Sequence, residues 1–234
     1  MSTRIRKRLI KLWHGQIHLG DEFEQYWQWI DQVRGWLSKE EGYTLFKLAR
    51  GMRPNLAFVE IGSYEGRSTV CIAFGLKGGK LIAIDPHTGD ITEKKKGLTK
   101  STLPALRENL QRAGLADKVE LIVSPSDIAV RQLSGIRIGG LFIDGWHSAD
   151  QVERDIRNFM VLADKKCIVV IDDYANDSVS LGIANCRDVL PSRSGQLGKI
   201  QVFGLPMFSH RLFKVLCLIY LESVRTKLLK RWRL

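Results

Sequence analysis

Cysteine, proline and long apolar runs are all scarce in this chain. Its four cysteines, Cys71, Cys167, Cys186 and Cys217, are scattered through 234 residues with no C-x-x-C pair and no His-Cys cluster at zinc-ligand spacing. That excludes a disulfide scaffold and a zinc module, and with no secretory leader in front it leads us to expect a reducing, cytoplasmic setting. The apolar run at 215–221 is too short to span a bilayer, which takes about 20 apolar residues. Internal repeats and low-complexity tracts are also missing, and the phosphate-cradling G-x-G-x-x-G does not occur. A chain of this length with 44% apolar residues can bury a full core as one domain with terminal extensions.

Charge is unevenly spread. The formal net charge is +11, yet residues 1–12 hold Arg4, Arg6, Lys7, Arg8 and Lys11 with no acid, and residues 205–234 hold seven bases against Glu222. Everything between is formally neutral, with 24 bases and 24 acids. Both ends interleave these bases with apolar residues at helical spacing, among them Leu9, Leu12 and Trp13 in front and Leu212, Phe213, Leu216 and Ile219 behind. Such segments suit the surface of an anionic membrane, where the chain would be peripheral on the inner face, or the solvated face of a packed helix, or an acidic polymer such as RNA.

From residue 56 onward short β-branched runs alternate with helix-length segments. The runs at 56–61, 80–85, 118–123, 140–144, 167–172 and 199–203 read as strands. Helical patterns lie near 66–76, 101–113, 126–133, 149–162 and 179–189. Alternation of this kind predicts an α/β fold, a doubly wound, mostly parallel sheet reached by right-handed crossovers. Ahead of the sheet stand Trp27, Trp29 and Trp36 and a helix over 38–50 with Ser38 as N-cap and Glu41 three residues on. The expected organisation is a helical N-terminal extension or lid (1–50), a cofactor-binding catalytic domain (51–204) and a basic amphipathic C-terminal segment (205–234).

Ligands of such sheets bind beyond the carboxyl ends of the strands. The first strand leads into Glu60-Ile61-Gly62-Ser63-Tyr64-Glu65-Gly66-Arg67-Ser68, where two glycines let the backbone turn tightly and approach a ligand. An acid at the strand end would repel a phosphate but could hold a cationic amino group. The second strand ends in Asp85, 25 residues on, placed to accept hydrogen bonds from both ribose hydroxyls. An adenosine ligand without phosphates is implied. Asp144, Asp172 and Asp173 end two adjacent strands, and three convergent carboxylates make a hard oxygen site for Mg²⁺, or for Mn²⁺ or Ca²⁺; the alternative is that Asp173 caps a helix and Asp172 bonds loop amides.

Four motifs in order, E-I-G-S-Y-x-G-x-S, I-D-P-H, F-I-D-G-x-H-S and I-D-D-Y, stand at Glu60 to Ser68, Ile84 to His87, Phe142 to Ser148 and Ile171 to Tyr174. Over about residues 36–204 the chain resembles the class I S-adenosylmethionine-dependent methyltransferases, and more narrowly their metal-dependent O-methyltransferase branch. The resemblance implies a Rossmann-like methyltransferase fold with S-adenosyl-L-methionine as cofactor. The loop carrying Glu60, Gly62, Ser63, Tyr64, Gly66 and Ser68 would surround its methionine portion, Asp85 its ribose, and Ser126 with Asp127 its adenine edge; Asp144 would border it. Where relatives often have Gly-Asp-Ser after the third strand, this chain has Ser124-Pro125-Ser126, and Pro125 offers no backbone N–H. His147, three residues after Asp144, occupies the place where related enzymes keep a Lys or His as general base, with Asp144 beside it. His87 would line the site or serve the structure; His14, His18 and His210 lie in or near the ends.

No Asn/Asp-Pro-Pro-Tyr/Phe tetrapeptide, the mark of exocyclic amino methylation in enzymes resembling this fold, follows the fourth strand; Asp144-Gly145-Trp146-His147 stands there. Oxygen is the expected acceptor. The basic ends put first a hydroxyl of a sugar or of a lipid-linked or polysaccharide precursor, and second a phenolic or macrolide-type small molecule, with Trp146 to stack on its ring. RNA methylation, a non-catalytic S-adenosylmethionine-binding adaptor and a nicotinamide dehydrogenase are the rivals; a nucleic-acid partner is not expected, and a homo-oligomer is left open.

Overall fold

The protein is described by a computed structural model over residues 21–89 and 100–204. Both basic termini, with His14, His18, His210 and Cys217, and the triplet Lys94, Lys95 and Lys96 lie outside the described residues. Two helices, α1 (Asp21–Ile30) and α2 (Lys39–Gly51), precede β1 (Ala57–Ile61) and α3 (Arg67–Gly75). Then come β2 (Leu81–Ile84), α4 (Leu103–Arg112), β3 (Val119–Ile122) and the single turn α5 (Ser126–Ala129). The chain continues through β4 (Ile138–Ile143), α6 (Ala149–Met160), β5 (Ala163–Ile171), α7 (Asp177–Ala184), β6 (Arg193–Leu197) and β7 (Ile200–Phe203).

These strands form one seven-stranded sheet in the order β3-β2-β1-β4-β5-β7-β6. The first five are parallel, as the alternating pattern requires, while β7 runs antiparallel to both β5 and β6. β6 is a strand the sequence reading missed. Its Arg-Ser-Gly-Gln-Leu has neither an apolar run nor apolar alternation, and it pairs only because a tight turn at Gly198 folds it back along β7. The helix expected over 126–133 is instead one α-turn followed by a 3₁₀ segment, Val130–Leu133.

Central strands are buried on both faces, which is why they read as near-continuous apolar runs. Phe58 and Phe142 point to the side packed by α1, α2 and α3 through Phe23, Trp27, Leu45, Phe46 and Ile72. Val59, Ile61, Leu141 and Ile143 point to the other, where Val152, Ile156 and Phe159 of α6 meet them. The segment 21–51 therefore shares a core with the sheet. Helix α2 begins at a full capping box, Ser38 with Glu41. Strand order reverses between β1 and β4, the crevice where open α/β sheets take their ligands. Among the described residues no helix is long and apolar enough to cross a membrane.

Candidate active site

Beyond the carboxyl ends of β1, β2 and β4 lies a cleft of about 1010 Å³. Its floor is the β1–α3 loop. Gly62 (φ 92°), Tyr64 (φ 47°) and Gly66 (φ 97°) all have left-handed backbone there, and Gly66 caps α3. A Cβ on Gly62 would sit 2.0 Å from the carbonyl oxygen of Asp144, so only glycine lets the β1 exit cross the β4 exit this closely. Asp85 fastens the loop: one carboxylate oxygen accepts the Tyr64 N–H at 2.9 Å and the other the His87 N–H at 2.6 Å. Both oxygens keep further lone pairs, and Asp85 lines the cleft with Gly62, Ser63, Tyr64 and Ser68. Among the described residues the buried Ser63 hydroxyl has no hydrogen-bond partner. His87 is buried against Thr102 (2.8 Å) and stays off the cleft, a structural histidine that burial holds below its ordinary pKa.

Glu60 is placed differently from expectation. It is fully buried, does not line the cleft, and accepts the Ser68 hydroxyl at 2.6 Å, so it cannot clasp an amino group from where it lies. The cause is strand alternation: Glu60 shares a face with Phe58 and turns beneath α3. Burial pushes its carboxyl up to about 8. The folded chain thus holds a proton that the unfolded chain releases near pH 4.5, and stability falls as pH rises from there to about 8. Glu60→Gln keeps the Ser68 bond without the buried charge. Its melting temperature should exceed the wild type's above pH 8, with the gap closing toward pH 5, as calorimetric scans at several pH values would read.

At the opposite wall the Ser126 hydroxyl donates to Asp155 at 2.6 Å and accepts from the Gln151 amide at 3.2 Å. Asp127 turns toward α6, 3.5 Å from Arg154 and 3.3 Å from the Asn158 amide. Ser126 and Asp127 do line the cleft, but the charged group facing it from within is Asp155, only 1% exposed and pushed up to about 6 by burial. Sequence reasoning missed Asp155. Its signal was a carboxylate on the face of α6 that otherwise carries Val152, Ile156 and Phe159.

The third constellation sits where β4 and β5 end. His147 Nε2 lies 3.8 Å from Asp144 Oδ1 and 3.4 Å from Asp173 Oδ2, and Asp173 holds a left-handed backbone (φ 51°). Non-glycine residues kept in that region mark places where the surroundings over-determine the backbone. The Asp144 carboxylate raises the imidazole pKa above its usual value against the opposing effect of burial, and Asp173 adds to the rise. Asp172 is only 2% exposed and is ion-paired with Lys199, whose ammonium is also 3.6 Å from Asp173 Oδ1.

This arrangement corrects the expected metal site. Among the described residues, the side chains whose ligand atoms gather within 4.8 Å of one another are Asp144, His147 and Asp173, with Asp172 withdrawn to Lys199. Mg²⁺ and Ca²⁺ take oxygen ligands. Here an imidazole would replace one carboxylate, the same imidazole could not then act as a base, and an ammonium already stands against Asp173. The residues present do not fit a resident hard cation.

Exposed tryptophans edge the cleft. Trp36 (65% exposed) tilts against Tyr64 with ring centroids 5.3 Å apart, and Trp146 (54% exposed) stands beside His147. Trp27, by contrast, belongs to the core. Arg67 ties the Trp36 rim to α3 by donating to the Val33 carbonyl at 3.0 Å and to Asp31 at 2.6 Å.

A sheet in this order, with a glycine-bearing loop after β1 and acids at the ends of β2, β4 and β5, has the Rossmann-like methyltransferase fold. Residues 59–174 match the family model described as a methyltransferase domain. A catechol O-methyltransferase of Mycobacterium tuberculosis is 26% identical over 162 residues, spanning 67% of this chain and 65% of that protein's own length. Among solved structures, the O-methyltransferase TomG of Streptomyces achromogenes, in complex with S-adenosylmethionine, shares the fold with a TM-score of 0.59. It is 17% identical over 88% of this chain and all of that one. An O-methyltransferase from Bacillus cereus in complex with S-adenosylhomocysteine superposes with a TM-score of 0.56, at 18% identity over 80% of this chain and 91% of that one.

Proposed function

We propose that this chain is an S-adenosylmethionine-dependent O-methyltransferase in which His147 is the general base. The observation that carries this reading is His147 itself, set between two carboxylates at the mouth of a cleft whose floor is the Gly62–Gly66 loop. Ser63, Tyr64, Asp85 and Ser126 would hold the cofactor, which supplies an electrophilic methyl on a sulfonium centre. Asp144 would stabilise that positive charge.

With Nε2–H directed at the carboxylates, Nδ1 keeps the lone pair, the tautomer logic by which an acid orients a catalytic imidazole. The acceptor hydroxyl would give its proton to the His147 ring as its oxygen takes the methyl, and the cofactor held by Ser63, Tyr64, Asp85 and Ser126 would supply that methyl, its sulfur keeping the electron pair of the carbon–sulfur bond. The proton then passes from His147 to solvent. Positioning of oxygen and methyl in line contributes about 7–11 kcal/mol to such reactions, more than the base does.

Trp36 and Trp146 favour an acceptor with a flat hydroxylated ring. A sugar hydroxyl, free or on a lipid-linked precursor presented at an anionic surface, suits the basic termini, and a phenolic natural product suits the same rings. Calorimetric titration with S-adenosylmethionine and with NAD, followed by transfer of labelled methyl to a panel of sugars, glycolipids and catechols, tests the proposal. Saturable binding of S-adenosylmethionine and label on an oxygen are expected. Binding of NAD with no response to S-adenosylmethionine would overturn it.

A further inference from the structure

The carboxylates at the ends of β4 and β5 already have a cation, and it belongs to the chain. We propose that Lys199 is the resident positive charge of this site, standing where a divalent ion would otherwise be held, and that the chain handles its acceptor without a metal.

Lys199 is placed by dedicated structure. It follows Gly198 in the turn between β6 and β7. Its N–H donates to Glu41 Oε1 at 2.9 Å and its carbonyl accepts the Tyr174 N–H at 3.0 Å, so its backbone is fixed from both sides. Glu41 is itself buried, and its other oxygen accepts the Ser38 N–H (2.9 Å) and hydroxyl (2.7 Å) at the start of α2. Gly198 has a left-handed backbone (φ 57°), and a Cβ there would lie 2.2 Å from Glu41 Oε1, so glycine is what lets the glutamate reach the turn. Glu41 is a positioning residue. It joins the Trp36 rim to the turn that delivers the ammonium.

From that turn the side chain runs to Asp172, a carboxylate with no exposed surface of its own, and ends 3.6 Å from Asp173 Oδ1. A buried carboxylate needs a counter-charge, and Lys199 provides it. The ammonium also lines the cleft with Asp144, His147 and Asp173, so it can donate to an acceptor oxygen as that oxygen loses its proton to His147. A divalent ion bound to the same carboxylates would have to displace it.

The acceptor-orienting role rests on the proposed methyl transfer; the exclusion of a divalent ion does not, so the decisive measurement needs no acceptor. Mn²⁺ alone is titrated into the full chain, by calorimetry and by proton relaxation of water, for the wild type and for Lys199→Met. The wild type should show no saturable site tighter than about 1 mM, and the variant should gain one at least about tenfold tighter. In EDTA the variant should melt below the wild type, and Mn²⁺ should restore it. If Lys199→Met does not fold, Lys199→Gln keeps a donor for Asp172 and should show the same gain. One tightly held Mn²⁺ per wild-type chain overturns the proposal, and so does a variant that still takes none. Any methyl transfer found should be unchanged by EDTA; its complete absence with every acceptor would count against the methyltransferase reading and leave the Mn²⁺ result standing.

Discussion

His147→Ala should lower the methyl-transfer rate by about 10²- to 10⁴-fold, the usual contribution of a positioned base. Affinity for S-adenosylmethionine should stay within about twofold, because the ring stands against Asp144 and Asp173, while the Gly62–Gly66 loop and Asp85 would hold most of the cofactor. Single-turnover transfer and a cofactor titration on the same preparation separate the two quantities. Equal losses in both would make His147 part of the cofactor pocket rather than a base.

The pH profile sharpens this test. His147 would work as a base only when neutral, and the Asp144 carboxylate, assisted by Asp173, favours the protonated ring over the opposing effect of burial. The acid limb of the rate should therefore lie above the ordinary histidine value of about 6.5, with activity rising as pH climbs through the raised pKa. Asp144→Asn removes the largest cause and should move that limb toward lower pH. In stability the sign is opposite. The protonated, carboxylate-paired ring stabilises the fold below the unfolded pKa, and that contribution fades as pH rises through the folded one.

The sheet was readable because its central strands β1, β2 and β4 are buried on both faces and so appear as apolar runs, and β2, β4 and β5 are each followed at once by an aspartate where they leave the sheet. That rule located Asp85, Asp144, Asp172 and Asp173. It failed for the first four residues of β5, Ala-Asp-Lys-Lys, and for β6, whose polar sequences pair only because neighbours are present. The loop motif pointed to a binding floor but was silent on where Glu60 points. Alternation from Phe58 through Glu60 decides that, and it sends the carboxylate under α3. Lys199 was the harder case. Twenty-seven residues separate it from Asp172, and only the hairpin geometry of Gly198 with the reach of Glu41 makes them partners.

The same close crossing of β1 and β4 exits that builds the cleft makes Gly62 its least replaceable residue. Gly62→Ala forces a side chain into left-handed backbone and drives a methyl to 2.0 Å from the Asp144 carbonyl, a backbone atom that cannot rotate away. Strain of about 1–3 kcal/mol and overpacking of about 1–3 kcal/mol add to about 2–6 kcal/mol, and about 3 kcal/mol is taken as the expected loss. For a chain of this size that is a fall of about 6–12 °C in melting temperature. The damage should not stop at stability, because the Asp144 N–H is bonded to the Ile61 carbonyl at 2.8 Å and the Gly62 N–H to the Ile84 carbonyl at 2.8 Å. Relief of the clash must part β1 from β4 or from β2, moving Asp144 and His147 relative to Ser63 and Asp85. The folded fraction of Gly62→Ala should thus lose S-adenosylmethionine binding, which Gly135→Ala should not: Gly135 also has φ > 0 (79°), but a Cβ there meets open space. Thermal scans and cofactor titration of the two variants side by side would separate backbone strain, common to both, from the crossing that only Gly62 permits.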